Sequence, residues 1–348
     1  MSLAPETLVA CPDIQDRLDN YLQTCNSSEL REAMPFLEFV WSDTNRTGIQ
    51  QRVAPGGGKT RTLQLTYWQR ILESEVNSVS DCDQVCTAST VRGNLSADYT
   101  IDCTGINIEE KMTPTDWRLI CESNDFLYEK KISMMKDALI RKQASLYATQ
   151  AGALLGAWAS DVSPKSGIYL EINTQKAGST DINPGFMQDI DFAAMQSNFC
   201  NGKVIFGNAD LYKKYGIMQA GCCSSQGVDI SQMLAQYNTA VLYDHRVASV
   251  ANGLKSNSSW IVMPQVLQPL YLTMNDNNMP LIGANYFKTV IYDQTGIPID
   301  LSIADDCGTI NINMTLRSKL VSLPADLYAP GDRMVGVTHF AGIYTNNV

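Results

Sequence analysis

The sequence predicts an α+β fold, and three stretches carry the prediction. Thr60 to Tyr67 alternates, with Leu63, Leu65 and Tyr67 on one face and Thr62, Gln64 and Thr66 on the other, as a half-buried strand does. From Thr113 onward apolar residues recur at helical spacing, with no proline before Pro164. Near the end, Ile310, Ile312, Met314 and Leu316 alternate with Asn311, Asn313, Thr315 and Arg317, a second strand pattern.

Taken in order, residues 1–43 read as an arm with one short helix, because Ile14, Leu18, Tyr21 and Leu22 are helically spaced. The run Phe36 to Trp41 after Pro35 reads as a strand. Residues 44–72 change character. Arg46, Arg52, Lys59, Arg61 and Arg70 are basic, and no acidic residue lies between Asp43 and Glu73. Pro55-Gly56-Gly57-Gly58 sits in the middle and predicts the tip of a long hairpin. So basic a hairpin, with so little apolar content, is expected to project into solvent or to lie on an acidic surface rather than bury itself.

Short strands follow over 73–111, ending in Tyr99 to Ile108. The long helix then opens with Thr113 as N-cap, Pro114 at the first helical position and Asp116 three after the cap. It either runs about 40 residues, roughly 60 Å, or breaks once near Gly152. Residues 163–300 read as mixed α/β. Strands are expected at Gly167–Ile172, Lys203–Phe206, Ala240–Tyr243 and Trp260–Met263. Helices are expected at Phe186–Phe199, from Gly207-Asn208 to a stop at Gly216, and at Ile230–Tyr237. Residues 301–348 return to β, with Val335 to Tyr344 as the last strand.

Composition narrows the function. The 348 residues are 45% apolar, enough for a sizeable core, and the net charge is −10. An acidic chain of this kind argues against direct nucleic-acid wrapping. Its surface, polar but only 18% charged, suits packing against other subunits. The longest apolar run, Ala151 to Ala159, is too short to span a bilayer, and no signal peptide is visible at the N-terminus. The ten cysteines, among them Cys82, Cys86, Cys222 and Cys223, are therefore expected to be reduced thiols. Neither His245 nor His339 stands beside a cysteine pair, so no metal site and no cofactor is expected.

No catalytic constellation emerges. Gly56-Gly57-Gly58-Lys59-Thr60 resembles the end of a phosphate-binding loop, yet Val53 stands where the first glycine is needed, and a strand pattern follows instead of a helix. Asp305-Asp306-Cys307-Gly308 reads as a hairpin turn rather than a cation site. The chain is expected not to be an enzyme.

The order of arm, basic hairpin, long helix, α/β region and β return resembles the major capsid proteins of tailed bacteriophages with the Hong Kong 97 fold. Ile312 to Val321 followed by Pro324 to Tyr328 resembles that family's C-terminal peripheral-domain strand, and Gly202 to Asn208 a strand-to-helix step of its axial domain. Tyr292 to Asp300 resembles capsid proteins of phages of Bacteroidetes-type hosts. The resemblance implies an N-terminal arm at 1–43, an extended hairpin loop at 44–72, a peripheral domain with a spine helix at 73–162, an axial domain at 163–300 and returning peripheral strands at 301–348.

It further implies a protein that assembles with itself, as pentamers and hexamers, into an icosahedral head enclosing double-stranded DNA without sequence-specific binding. The place is the virion, assembled in the host cytoplasm, with no membrane. Portal and accessory capsid proteins are implied partners, and the short stretch before the hairpin implies a separate scaffolding protein or none. Arg46, Arg52, Lys59, Arg61 and Arg70 are then the candidate contacts between subunits. Two other readings are a tail-tube or neck protein and a cytosolic nucleotide-binding protein using Gly56 to Thr60.

Overall fold

The computed structural model describes residues 33–46, 50–53, 60–68, 94–102, 105–112, 126–158, 165–178, 182–183, 185–197, 199, 202–220, 239–273, 286–292, 295–306, 309–323 and 339–346. The expected helices at 13–22 and 230–237, the helix cap at Thr113, Pro114 and Asp116, and all ten cysteines lie outside them.

The fold is α+β. The first described element is helix α1 (Pro35–Trp41), where a strand was expected. Phe36, Leu37, Val40 and Trp41 are spaced for one helical face and are all buried, and Pro35 at the start lacks an N–H that would go unpaired there anyway. Met34 supplies no side-chain cap. Instead the Asp244 carboxylate, far along the chain, accepts from the Phe36 N–H at 3.3 Å. One turn, α2 (Asp43–Arg46), follows.

Strands β1 (Gln50–Val53), β2 (Thr60–Trp68) and β3 (Asn94–Asp102) form an antiparallel sheet in that order. Val53 pairs with Leu63 across the hairpin, and Leu63 with Tyr99 on the other side. Residues 94–102 thus join the hairpin's sheet. Strand β4 (Ile106–Met112) instead pairs with a later strand.

Helix α3 (Phe126–Ala153) is 28 residues, about 42 Å of rise, and ends one residue beyond Gly152. Next come β5 (Lys165–Ser166), β6 (Tyr169–Asn173), α4 (Phe186–Gln196), β7 (Val204–Gly207), α5 (Ala209–Ala220), β8 (Ala240–Tyr243), α6 (His245–Leu254) and β9 (Ser258–Val262). α5 passes through Gly216 rather than stopping there. Asp244 caps α6, accepting from the Arg246 N–H at 3.0 Å. The remaining strands are β10 (Leu267–Tyr271), β11 (Tyr286–Tyr292), β12 (Ile297–Asp306), β13 (Thr309–Leu316), β14 (Ser318–Ser322) and β15 (Phe340–Asn346).

A six-stranded mixed sheet runs β5-β6-β15-β9-β7-β8, and a four-stranded antiparallel sheet runs β11-β12-β13-β4. Asp306 pairs with Thr309 where β12 meets β13, and Cys307 and Gly308 of the expected turn lie outside the described residues. β10 and β14 form a two-stranded ribbon between these parts. The last strand was expected with the strands of 301–322. It lies instead in the six-stranded sheet, parallel to β6 and antiparallel to β9. Phe340, Ala341 and Ile343 are fully buried there, a requirement that only a central strand position meets.

Helix α3 meets the four-stranded sheet, the β10–β14 ribbon and the helix α6 that packs on the six-stranded sheet. Near its start, the Lys131 ammonium is 3.0 Å from Glu110 of β4 and donates to the Lys111 carbonyl. Ile132, Met135 and Leu139 are buried in the same large core as Ile312, Met314 and Leu316 of β13. Toward its C-terminal end, the Gln150 side-chain oxygen accepts from the Leu320 N–H of β14 at 2.8 Å. At the far end, Gly152 lies against Val250 and Leu254 of α6 and Trp260 of β9; a methyl group here would come within 3.0 Å of Val250. Burying a 28-residue helix along three different partners is what makes it stable, since propensity alone does not.

Candidate subunit interface

The base of the hairpin sheet is anchored within its own chain. Leu63 and Leu65 of β2 are 0% and 2% exposed, and Ile101 of β3 is buried beside them. They share a small core with Leu270 and Leu272 near β10 and with Val321 and Leu323 near β14. Polar contacts fasten the same seam. The Gln51 amide donates to the Tyr271 carbonyl at 2.6 Å, and the Tyr99 hydroxyl to the Ser322 carbonyl at 3.1 Å. Lys319 reaches the Thr100 carbonyl at 3.4 Å. The expectation that the hairpin buries nothing of itself is corrected. β3 adds a third strand, and the β10–β14 ribbon supplies the apolar partner surface that a two-stranded hairpin lacks.

The five expected contact residues fare differently. The Arg46 guanidinium lies over its own chain's Trp41 and Tyr271 rings, 5.1 Å and 5.8 Å from their centroids, a planar cation held by two aromatic faces. Arg52 stands on β1 opposite Gln64, and Arg61 on β2 opposite Ile101. Lys59 and Arg70 lie outside the described residues. Thr60, the last residue of the glycine-rich loop, begins a strand, where a phosphate loop would begin a helix.

Beside Arg46 is a polar hub that no spacing in the sequence announces. Asn45 is fully buried. Its amide donates to the Val40 and Leu267 carbonyls at 2.8 Å and 2.7 Å, and its side-chain oxygen accepts from the Gln265 N–H at 2.7 Å. Gln268 completes the hub by donating to the Asn45 carbonyl. Gln265 holds a positive φ of 72° to make this possible.

A second hub joins α3 to the ribbon. The Tyr147 hydroxyl is hydrogen-bonded to Ser318, and the Trp41 indole and Gln143 amide face it. Burial pushes the Tyr147 phenol up to about 12, against the pull of its hydrogen bond with Ser318. On the six-stranded sheet, Glu171 is held below its ordinary value by the Tyr344 hydroxyl and the Asn346 amide. The same hydrogen bond raises Tyr344 to about 12. Lys255 lies 4.2 Å from the Tyr344 ring centroid. Among the described residues no group of three or more His, Cys, Asp or Glu side chains is placed to hold a metal ion, and no helix is long and apolar enough to cross a membrane.

No protein-family model matches the chain, and no curated protein matches it. Among solved structures it is similar to the Cyanophage A-1(L) capsid asymmetric unit, at 13% identity and a TM-score of 0.48 over 92% of this chain and 94% of that one. It is also similar to the capsid of Cyanophage P-SCSP1u, at 10% identity and 0.42 over 95% and 94%. A third is the holo-SrpI encapsulin complex from Synechococcus elongatus PCC 7942, at 10% identity and 0.44 over 94% and 94%.

Proposed function

We propose that the chain is a shell-forming capsid protein, the major capsid protein of a tailed bacteriophage, built on the Hong Kong 97 plan. The observation that carries the reading is the path of α3. One 28-residue helix ties the four-stranded sheet, the β10–β14 ribbon that anchors the hairpin, and the six-stranded sheet into one tile. A tile of this kind has its shape set by a single rigid strut, the property a closed shell needs when one shape error is repeated in every subunit.

In this reading the four-stranded sheet and α3 make the peripheral part, the six-stranded sheet makes the axial part, and the hairpin reaches from its anchored base toward a neighbour. Arg52, Lys59, Arg61 and Arg70 are its contacts with that neighbour, while Arg46 serves the fold of its own chain. Subunits associate as pentamers and hexamers around double-stranded DNA, and the acidic chain discourages the DNA from adhering to the wall. Scaffolding, portal and accessory proteins are the further partners, the virion is the destination, and assembly takes place in the host cytoplasm. The nucleotide-binding reading is disfavoured by the strand that begins at Thr60.

The test is electron microscopy of the expressed chain at increasing concentration, alone and with candidate scaffolding proteins. Closed particles of uniform diameter are expected. Stacked tubes would favour a tail component, and nucleotide binding by calorimetry without any particle would favour the third reading.

A further inference from the structure

The six-stranded-sheet region leaves two apolar helical faces in solvent. On α4, Phe192 and Met195 are each 58% exposed and three residues apart, so they share one face, and the exposed Asp189 lies one turn before Phe192. On α5, Tyr212, Lys213, Gly216 and Ile217 form one outward stripe, in which Ile217 is 60% exposed. Tyr243 of the edge strand β8 extends that stripe, its ring 6.0 Å from that of Tyr212. α4 packs on β6, next to one edge of the sheet, and α5 packs on β7 and β8 at the other.

The two faces are complementary in charge as well as in apolar character. The other acidic side chains of the two helices are engaged at home, Asp191 with Lys203 and Asp210 with Lys214 at 2.8 Å. That leaves Asp189 on the α4 face and Lys213 on the α5 face.

Gly216 adds an independent observation. It sits inside a helix, where glycine is the poorest residue short of proline, and it does not end that helix. Apart from the backbone of its own helix, a methyl group on it would meet no atom of the described residues within 4 Å. Among the described residues neither capping nor packing accounts for the glycine, whereas a side chain arriving from a second copy does.

We propose that α4 of one copy docks on α5 of a second copy, with Phe192 seated over the notch at Gly216 and Asp189 paired with Lys213. The proposal rests on the reading of the chain as a shell subunit and names the contact that the six-stranded sheet would make. The spacing fits. Phe192 follows Asp189 by three residues and Gly216 follows Lys213 by three, about 4.5 Å in each helix, so parallel helices bring both pairs together at once. Met195 then lies toward Ile217. Because the two faces differ, each copy uses one to give and one to receive, a head-to-tail contact that closes into a ring when the rotation per copy allows it. The charge pair sets register more than it adds affinity.

The test uses the full chain, with sedimentation velocity and electron microscopy over a range of concentrations. Asp189→Lys and Lys213→Asp should each raise the concentration needed for assembly about two- to fivefold, and the double exchange should restore it. Both positions are exposed; Lys213→Asp should leave melting of the unassembled chain nearly unchanged, and Asp189→Lys should lower it only slightly, by the loss of a carboxylate from the first turn of α4. Gly216→Ala should raise the melting temperature of the unassembled chain yet weaken assembly, a pair of opposite signs that a purely local role does not produce. The contact is overturned if the double exchange assembles no better than the singles, or if Gly216→Ala strengthens both. Rings or open chains that respond to the exchanges but never close into shells would uphold the contact and defeat the shell reading. Shells that close identically in every variant would do the reverse. A wild-type chain that stays monomeric throughout overturns the contact.

Discussion

The Tyr147 hydroxyl of α3 is hydrogen-bonded to the Ser318 hydroxyl at the start of β14. Because Ser318 donates its own proton to the Leu270 carbonyl at 2.7 Å, Tyr147 is the donor in the shared bond. A single relay therefore runs from the long helix through β14 to β10, across the ribbon on which the hairpin sheet rests.

Tyr147→Phe breaks this relay and leaves the Ser318 hydroxyl without the proton that Tyr147 donates. Thermal or denaturant unfolding should show a loss of about 0.5–1.5 kcal/mol, the net contribution of one buried hydrogen bond. A loss below a few tenths would mean the hub is not holding α3 to the ribbon.

The same phenol makes stability fall in strong alkali. Its folded value, about 12, lies above the ordinary 10, so the unfolded chain releases this proton first as pH rises. The contribution is whole below pH 10 and is lost between pH 10 and about 12, amounting to roughly 2–3 kcal/mol. Tyr344, also raised to about 12, acts in the same direction. Unfolding measured from pH 9 to 12 should show a steeper decline for the wild type than for Tyr147→Phe.

Lys203 is 3% exposed and is paired with Asp191, itself 15% exposed. Asp191→Ala leaves the more deeply buried ammonium without its carboxylate and should cost about 3–5 kcal/mol. Lys203→Met leaves only a carboxylate that water can reach, and should cost clearly less. Equal losses in the two variants would show that burial does not set the asymmetry.

Glutamate at Arg52, Lys59 and Arg61 together should impair particle formation and leave the unassembled chain folded by circular dichroism. The anchoring contacts of the hairpin base, Leu63, Leu65, Gln51 and Tyr99, are not touched. Unchanged assembly in low salt would remove the electrostatic role of the hairpin.

Met135 is buried on the face that α3 turns to the four-stranded sheet. Met135→Pro removes a backbone donor and crowds the preceding turn, costing about 3 kcal/mol or more. Uniform closed particles should be lost even where the chain remains folded. Uniform closed particles from this variant would show that α3 does not set the shape of the tile.

Much of the fold was legible because it follows from local period. The stripe Ile132, Met135 and Leu139 reads as helix, and Ile312, Met314 and Leu316 read as strand, whatever they pack against. The run Phe36 to Trp41 misled, because a short apolar run does not separate the two periods and only its partners do. The candidate interface residues were legible only as a block of positive charge. Charge reveals that a surface needs a partner, but not that Arg46 already has one in Trp41 and Tyr271.

The amino-acid sequence by itself determined the α+β class, the alternating face of Leu63 and Leu65 and the uninterrupted helix, since spacing along the chain dictates which side chains share a face. Only the tertiary structure decided that Asp244 caps a helix more than 200 residues before it, that β15 lies between β6 and β9, and that α5 continues through Gly216 rather than ending there. Those outcomes depend on which buried faces and unpaired backbone groups meet, and residues distant in the chain carry no periodic signal of one another until the core brings them together.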